Sequence, residues 1–272
     1  MLPIEEAILL VVLGVVIGAY SISIGAGGGF LIAPLLLIRY PDADPEVVTT
    51  ASLSAVVITS IASSAIVIPE RRVDIPVALW IAAVAVPAGF LGALGTVALP
   101  REAFAIGFAL LLVVLALYII LRPTTPDPPT GATGTPRHLE DRDGTSFDYR
   151  IPVRRSIAPN IGMAFLSALA GIGGGPIGVP IMTRIMRIPH AVAVPTIQVK
   201  TAIYSAAVVL FHFALGDAGD PMMDVPWLGL GVIIANPFGQ RLRRTLGEGP
   251  LMRALAFGLF LVAARTAFGA FE

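Results

Sequence analysis

Apolar residues fill this chain in long blocks separated by short polar intervals, at about 7–24, 48–69, 75–98, 102–121, 157–170, 191–215, 225–240 and 251–270. Most of these blocks approach the ~20 residues that cross a bilayer as a helix, and the fifth reaches that length only by running into the glycines behind it. Two other stretches, 30–38 and 176–186, follow glycine clusters. At ~1.5 Å per residue they are too short to span, so they read as half-helices. The pattern therefore predicts an all-α polytopic membrane protein.

Composition agrees. Hydrophobic residues make up 56% of the chain and charged residues 13%, with a mean hydropathy of +0.86. Soluble domains carry roughly 25% charged residues. The lipid bilayer is the expected surrounding, and the expected location is the cell inner (plasma) membrane in a multi-pass arrangement. The net charge of zero gives no basis for nucleic-acid binding. Cysteine is absent, which excludes disulfides and thiolate chemistry, and the three histidines are scattered, so neither a metal nor a cofactor is expected. The N-terminal MLPIEEAILL lacks a basic region ahead of its apolar run, so the first block is taken as part of the mature protein.

Between the fourth and fifth blocks lies RPTTPDPPTGATGTPRHLEDRDGTSFDYRIPVRR, rich in proline, glycine, threonine and charge. It reads as a solvent-exposed linker, extended or disordered. The expected organisation is an N-terminal membrane repeat over 1–122, a flexible cytoplasmic linker over 123–156, and a C-terminal membrane repeat over 157–272. The two halves match each other. Gly25–Pro34 (GAGGGFLIAP) aligns with Gly171–Pro180 (GIGGGPIGVP), Pro45–Ser52 with Pro189–Thr196, and Gly92 and Leu99 with Gly239 and Leu246. Duplicated halves are a common origin of transporters.

Arginine positions bear on the direction of the halves, because Lys and Arg concentrate on the cytoplasmic side. If every block simply spans, the two sides nearly balance. If each glycine cluster instead turns the chain back as a hairpin, the halves become inverted. One side then collects 14 arginines, at 71, 72, 122, 137, 142, 150, 154, 155, 184, 187, 241, 243, 244 and 253, and the other keeps Arg39, Arg101 and Arg265. This bias favours hairpins, with the linker inside and the acidic 217–224 loop outside.

A glycine run lets the backbone leave helical geometry. At membrane depth such backbone survives where protein buries it or water reaches it. The half-helix that follows would then aim its free N–H groups inward, a ready site for an anion. Gly27, Gly28 and Gly29 in one half and Gly173, Gly174 and Gly175 in the other are the candidates. The competing reading is close helix packing through small residues. Lys200 is the second signal. It sits mid-way along HAVAVPTIQVKTAIYSAAVVLFHF, where a charge costs ~2.5–3.5 kcal/mol on insertion scales. Gln198, Thr196 and Thr201 flank it, and Thr50, Ser52 and Ser54 hold the related place in the first half. One cation with hydroxyl and amide donors suits a small oxyanion. His212 is expected at the interface, Asn236-Pro237 at a kink, and the arginines at 241, 243 and 244 as a topology anchor. No Asp or Glu falls at the centre of a span, so no carboxylate relay is visible.

The paired GxGGG…P motifs, Gly25 to Pro34 and Gly171 to Pro180, resemble those of the sulfite exporter TauE/SafE family of small anion permeases, over nearly the whole chain. Thr50–Ser52 and Thr196 look like the family's short hydroxyl-bearing motif, although Pro195 departs from it in the second copy. The resemblance implies secondary transport of a small sulfur-containing anion, with sulfite export the leading expectation. An uptake permease for another anion, such as an organosulfonate, sulfate or a carboxylate, is the alternative. No serine–histidine, HExxH or paired-aspartate arrangement lies in the spans, so an enzyme is not expected. The sequence leaves the oligomeric state open, with a homodimer among the choices.

Overall fold

The first helix, α1 (Ile4–Ser23), leads to a shorter one, α2 (Ile32–Arg39), and then to three long helices, α3 (Pro45–Val67), α4 (Ile75–Ala98) and α5 (Arg101–Leu121). A two-stranded hairpin, β1 (Thr135–Glu140) and β2 (Ser146–Ile151), precedes α6 (Val153–Ala170) and the six-residue α7 (Gly175–Pro180), which continues as a π turn over Ile181–Ile185. Then come α8 (His190–Leu215) and α9 (Val225–Leu246). The computed structural model describes residues 3–23, 31–121, 134–246, 257–261 and 263–265. Among these, the helices at Ile4–Ile22, Pro45–Glu70, Ile75–Ala98, Arg101–Tyr118 and His190–Leu215 are long and apolar enough to cross a membrane. The chain is an all-α polytopic membrane protein, with one small β-hairpin among the described residues.

Local sequence sets the helix ends. Pro45 opens α3 where no N–H is required. The Asp74 side chain caps α4 by accepting the Val77 N–H at 3.2 Å. Gly171 closes α6 and Gly216 closes α8, both left-handed, as helix C-termini favour.

Two sets of ion pairs define two faces. At one, here the N-terminal face, Arg39 at the end of α2 contacts Glu6 at the start of α1 (2.6 Å) and Asp224 before α9 (2.8 Å). Arg101 at the start of α5 approaches Asp42 at 3.9 Å. At the other, the hairpin face, Arg72 beyond α3 meets Asp141 at 3.0 Å, and Arg137 binds Asp74. Arg184 lies over the ring of Tyr118 near the end of α5. The Glu6–Arg39 pair has a direct topological meaning: α1 leaves the N-terminal face and α2 returns to it. On the hairpin side, the Asn160 amide of α6 lies 3.6 Å from the Met186 sulfur just past the π turn, so α6 and α7 also form a turn-back.

The halves interlock. α1 packs along α9, α4 along α6, and α3 against α8. Glycines make the first two approaches possible. A Cβ at Gly92 would stand 2.4 Å from the Phe165 carbonyl oxygen, and one at Gly239 would stand 2.8 Å from that of Ala19. The contact repeats in the two halves between corresponding residues. Gly231 and Gly14 bring α9 and α1 equally close, with 2.2 Å from a Gly231 Cβ to the Val11 oxygen.

The expectation of an extended or disordered linker is corrected for residues 135–151. β1 and β2 pair antiparallel, from Thr135 opposite Ile151 to Glu140 opposite Ser146. The turn is local chemistry: Asp141 Oδ1 accepts the N–H groups of Asp143 and Thr145, and Gly144 takes φ 81°. Tyr149 and Ile151 alternate with exposed residues and join a core with Val77, Ile81, Met163, Met182, Met186 and Val192. Burial on one face, rather than composition, decides the state of this segment.

Candidate anion site

The second glycine cluster is a turn wedged between helices. Gly171, Gly173 and Gly174 have φ of 67°, 73° and 80°, a region that side chains with a Cβ rarely enter. Ser52 of α3 donates its hydroxyl to the Gly171 carbonyl at 2.7 Å. A Cβ at Gly171 would meet Thr49 at 3.0 Å, and one at Gly173 would meet Val56 at 2.6 Å, so α3 backs the turn directly. Gly178 in α7 lies against Ile197 of α8 and Met163 of α6. The intrahelical bonds of α7 include Gly178 N–H to the Gly174 carbonyl, 2.8 Å.

Lys200 reaches this turn. Its side chain is fully buried, and its ammonium makes no hydrogen bond within the protein. The Nζ stands 4.2 Å from the centroid of the Tyr204 ring, one helical turn along α8. Tyr204 is itself fixed, its hydroxyl donating to the Ala164 carbonyl of α6. A point marking where a Gly174 Cβ would be lies 3.5 Å from Lys200 Nζ and 3.3 Å from Ser167 Oγ. Gly174, Ser167 and Lys200 therefore converge from the turn, α6 and α8. A buried ammonium resting on a ring face gains a cation–π contact but has three donors unmet. An oxyanion offers both the opposite charge and the acceptor oxygens.

The other expected site residues fall in different places. Thr196 accepts the Asp74 N–H at 3.0 Å, tying α8 to α4 near the hairpin face. Thr50 and Ser54 bond back to carbonyls of their own helix, those of Glu46 and Thr50. Gln198 is buried and two residues from Lys200, about 200° around the helix, so the two side chains leave α8 on nearly opposite sides. Gly175 opens α7. Gly27, Gly28 and Gly29 lie outside the described residues, as do the side chains of Arg241, Arg243 and Arg244. Asn236 is buried and donates to Ser63 Oγ at 3.4 Å.

His212 is corrected. Rather than an interfacial side chain, it is fully buried, with Nδ1 2.7 Å from Asp217 Oδ2. Sequence reasoning also missed Ser167 and Tyr204. Signals for both existed: Ser167 is four residues ahead of Gly171, as Ser21 is ahead of Gly25, and Tyr204 is one turn from Lys200.

Residues 10–266 match the family model described as Sulfite exporter TauE/SafE. The chain belongs to this family. Among curated proteins, the probable membrane transporter protein YunE of Bacillus subtilis (strain 168) is 28% identical over 195 residues, covering 70% of this chain and 71% of the relative. No solved structure matches. As a TauE/SafE member with apolar spanning helices, the chain is a multi-pass membrane transporter.

Proposed function

We propose that this chain is a secondary transporter that exports small sulfur-containing anions, sulfite foremost, binding them at Lys200 beside the Gly173–Gly175 turn. The single observation carrying this reading is the buried Lys200 ammonium, without a hydrogen bond in the protein, beside Ser167 and a left-handed glycine turn. The family description supplies the substrate class. The first-half glycines 27–29 are proposed as the matching wall of the site.

The mechanism is alternating access between inverted halves, 1–122 and 157–272. Support comes from the repeated Gly92–Phe165 and Gly239–Ala19 contacts, and from the two turn-backs, one returning to each face. The hairpin face is proposed as cytoplasmic because it carries Arg72, Arg137 and Arg184. Export of an anion from a negative interior runs with the voltage, ~2.3 kcal/mol per charge per 100 mV, so uniport is energetically sufficient.

The test is voltage-driven sulfite flux in proteoliposomes for wild type and Lys200→Met. Wild-type flux that is lost in the variant is the expected result. Equal flux in both removes Lys200 from the mechanism. No flux in either, with folded protein verified, overturns sulfite as substrate and turns the assay to organosulfonates and carboxylates.

A further inference from the structure

The β-hairpin is joined to the rest of the hairpin face in two unlike ways. To α4 it is joined by charge. Asp74, the cap of α4, is buried, and its carboxylate takes two bonds from Arg137 of β1 and one from the Tyr149 hydroxyl of β2. Breaking that set would leave a buried charge unpaired, so the hairpin and the start of α4 hold together as one piece. To the elements that carry the anion site, the same piece is joined more weakly. One neutral hydrogen bond, from the Asp74 N–H to Thr196 Oγ1 at 3.0 Å, ties it to α8. Thr196 stands one helical turn ahead of Lys200 on the same side of α8. The rest is apolar: Tyr149 and Ile151 share one core with Met182 and Met186 at the π turn and with Val192 and Ile197 of α8. Methionine is unbranched and adaptable, so a surface built on it repacks readily. The π turn has its own irregularity. The Ile188 N–H reaches back to the Met182 carbonyl at 3.0 Å, and Arg187 holds φ 59° without being glycine. Such turns and sparsely populated backbone states recur at functional and switch positions.

We propose that the β-hairpin is a lid over the hairpin-face end of the anion path. It rides on α4, and the path opens when the start of α8 and the π turn part from it across the Thr196 bond and the methionine core. The inference rests on the reading of Lys200 as the anion site. Lys200 is fully buried, so an element has to move before an anion reaches it. Parting at this seam loses one neutral bond and apolar contacts that re-form, while the charged bonds to Asp74 stay closed. α7 goes with α8, because a Cβ at Gly178 would stand 2.6 Å from Ile197. Farther along α8, Tyr204 stays pinned. Its hydroxyl donates to the Ala164 carbonyl, and a Cβ at Gly89 of α4 would stand 2.6 Å from its ring. The motion is therefore a swing of the first part of α8 about Tyr204, which uncovers Lys200 from the hairpin side.

Two measurements on the full chain in lipid nanodiscs test it. The chain has no cysteine, so labels go only where they are introduced. Spin labels at Thr145→Cys on the exposed turn of the hairpin and at Ala191→Cys on the exposed start of α8 measure the seam. Labels at Thr145→Cys and at Leu79→Cys on the exposed side of α4 measure the attachment. The expected result is a longer second distance across the seam that gains population in Thr196→Val, with one constant distance to Leu79. A single seam distance, the same with and without Thr196→Val, overturns the lid. A second distance to Leu79 overturns its attachment to α4. The other measurement is access: the rate at which Lys200→Cys reacts with a charged methanethiosulfonate reagent. Loss of one neutral bond should raise that rate roughly five-fold in Thr196→Val. Equal rates overturn the gate. Neither measurement uses sulfite, so failure of the lid and failure of the sulfite reading are told apart.

Discussion

The Tyr149 hydroxyl donates to the Asp74 carboxylate at 2.6 Å, joining a strand of the linker to the first turn of α4. Arg137 completes the grip, donating from Nε to Asp74 Oδ2 at 2.8 Å and from Nη2 to Oδ1. Asp74 itself is buried, so these partners satisfy its carboxylate oxygens in place of water. The hairpin is thereby a fixed part of the membrane domain's end. Its exposed turn is further held by Arg72 on Asp141 and by the Arg142 N–H on the Glu70 carbonyl.

Removing the Tyr149 hydroxyl should weaken this grip. Burial, and then the bond to Asp74, push the Tyr149 phenol above its ordinary range. A group with a raised folded-state pKa contributes stability that is complete below its unfolded value, ~10, and lost as pH rises beyond it. Tyr149→Phe should cost about 1.5–3 kcal/mol at neutral pH, the usual worth of a bond to a charged group. It should also flatten the loss of thermal stability above about pH 10. Melting curves of both proteins across pH would show this; parallel curves would refute it.

Arg39 is the corresponding tie at the N-terminal face. Asp224 is fully buried, and Arg39 Nε supplies its ion pair while Nη2 holds Glu6. Arg39→Gln should destabilise the protein by about 1–3 kcal/mol through the uncompensated carboxylate. Adding Asp224→Asn should recover much of the loss. A double-mutant cycle by thermal unfolding in detergent would measure the coupling, and a strictly additive result would contradict it.

The helix pairings depend on glycines that no larger residue can replace. At Gly231 a methyl group would sit 2.2 Å from the Val11 carbonyl oxygen. Gly231→Ala should cost about 1–3 kcal/mol by forcing α1 and α9 apart. Gly162, where a Cβ would meet nothing within 4 Å, is the control, and Gly162→Ala should be neutral or stabilising. Equal melting temperatures for the two variants would disprove the packing argument.

Ser167 tests the anion site without removing its charge. A hydroxyl bonded to an anion is worth about 1.5–3 kcal/mol, or roughly 10- to 150-fold in affinity. Ser167→Ala should raise the half-saturating sulfite concentration by that factor and leave the fold intact. An unchanged concentration dependence would place the anion elsewhere.

The spans were legible because lipid imposes one rule on backbone and composition alike: apolar blocks of sufficient length must be helices. Blocks 48–69, 75–98, 102–121 and 191–215 correspond to α3, α4, α5 and α8 within a few residues. The second glycine turn was legible for the same reason, since three closely spaced glycines disfavour continued helix. The hairpin was not, because its proline- and charge-rich surroundings outweighed a real alternation at Phe147, Tyr149 and Ile151 and an Asp-Gly turn at 143–144. Ser167 could not be placed beside Lys200 from one-dimensional spacing, because the approach of α6 to α8 is a tertiary fact, whereas Tyr204, four residues along the same helix, was within reach of that spacing. His212 was misplaced for a related reason: its partner lies across a left-handed glycine, where helical spacing no longer applies.

The pairing of α1 with α9 has a consequence for biosynthesis. α1 is among the first segments to enter the bilayer, while α9 lies near the other end of the chain. At ~5–20 residues per second, the partner of α1 arrives about 10–40 s later. Until then α1 lacks its main packing partner, although Glu6 can already meet Arg39 of α2. Its sequence suits that interval: between Glu6 and Tyr20 it carries no polar side chain, and its glycines keep the docking surface smooth for the helix to come. The buried ammonium of Lys200 is on a helix made late, after α3, α4 and α6 are present to receive it.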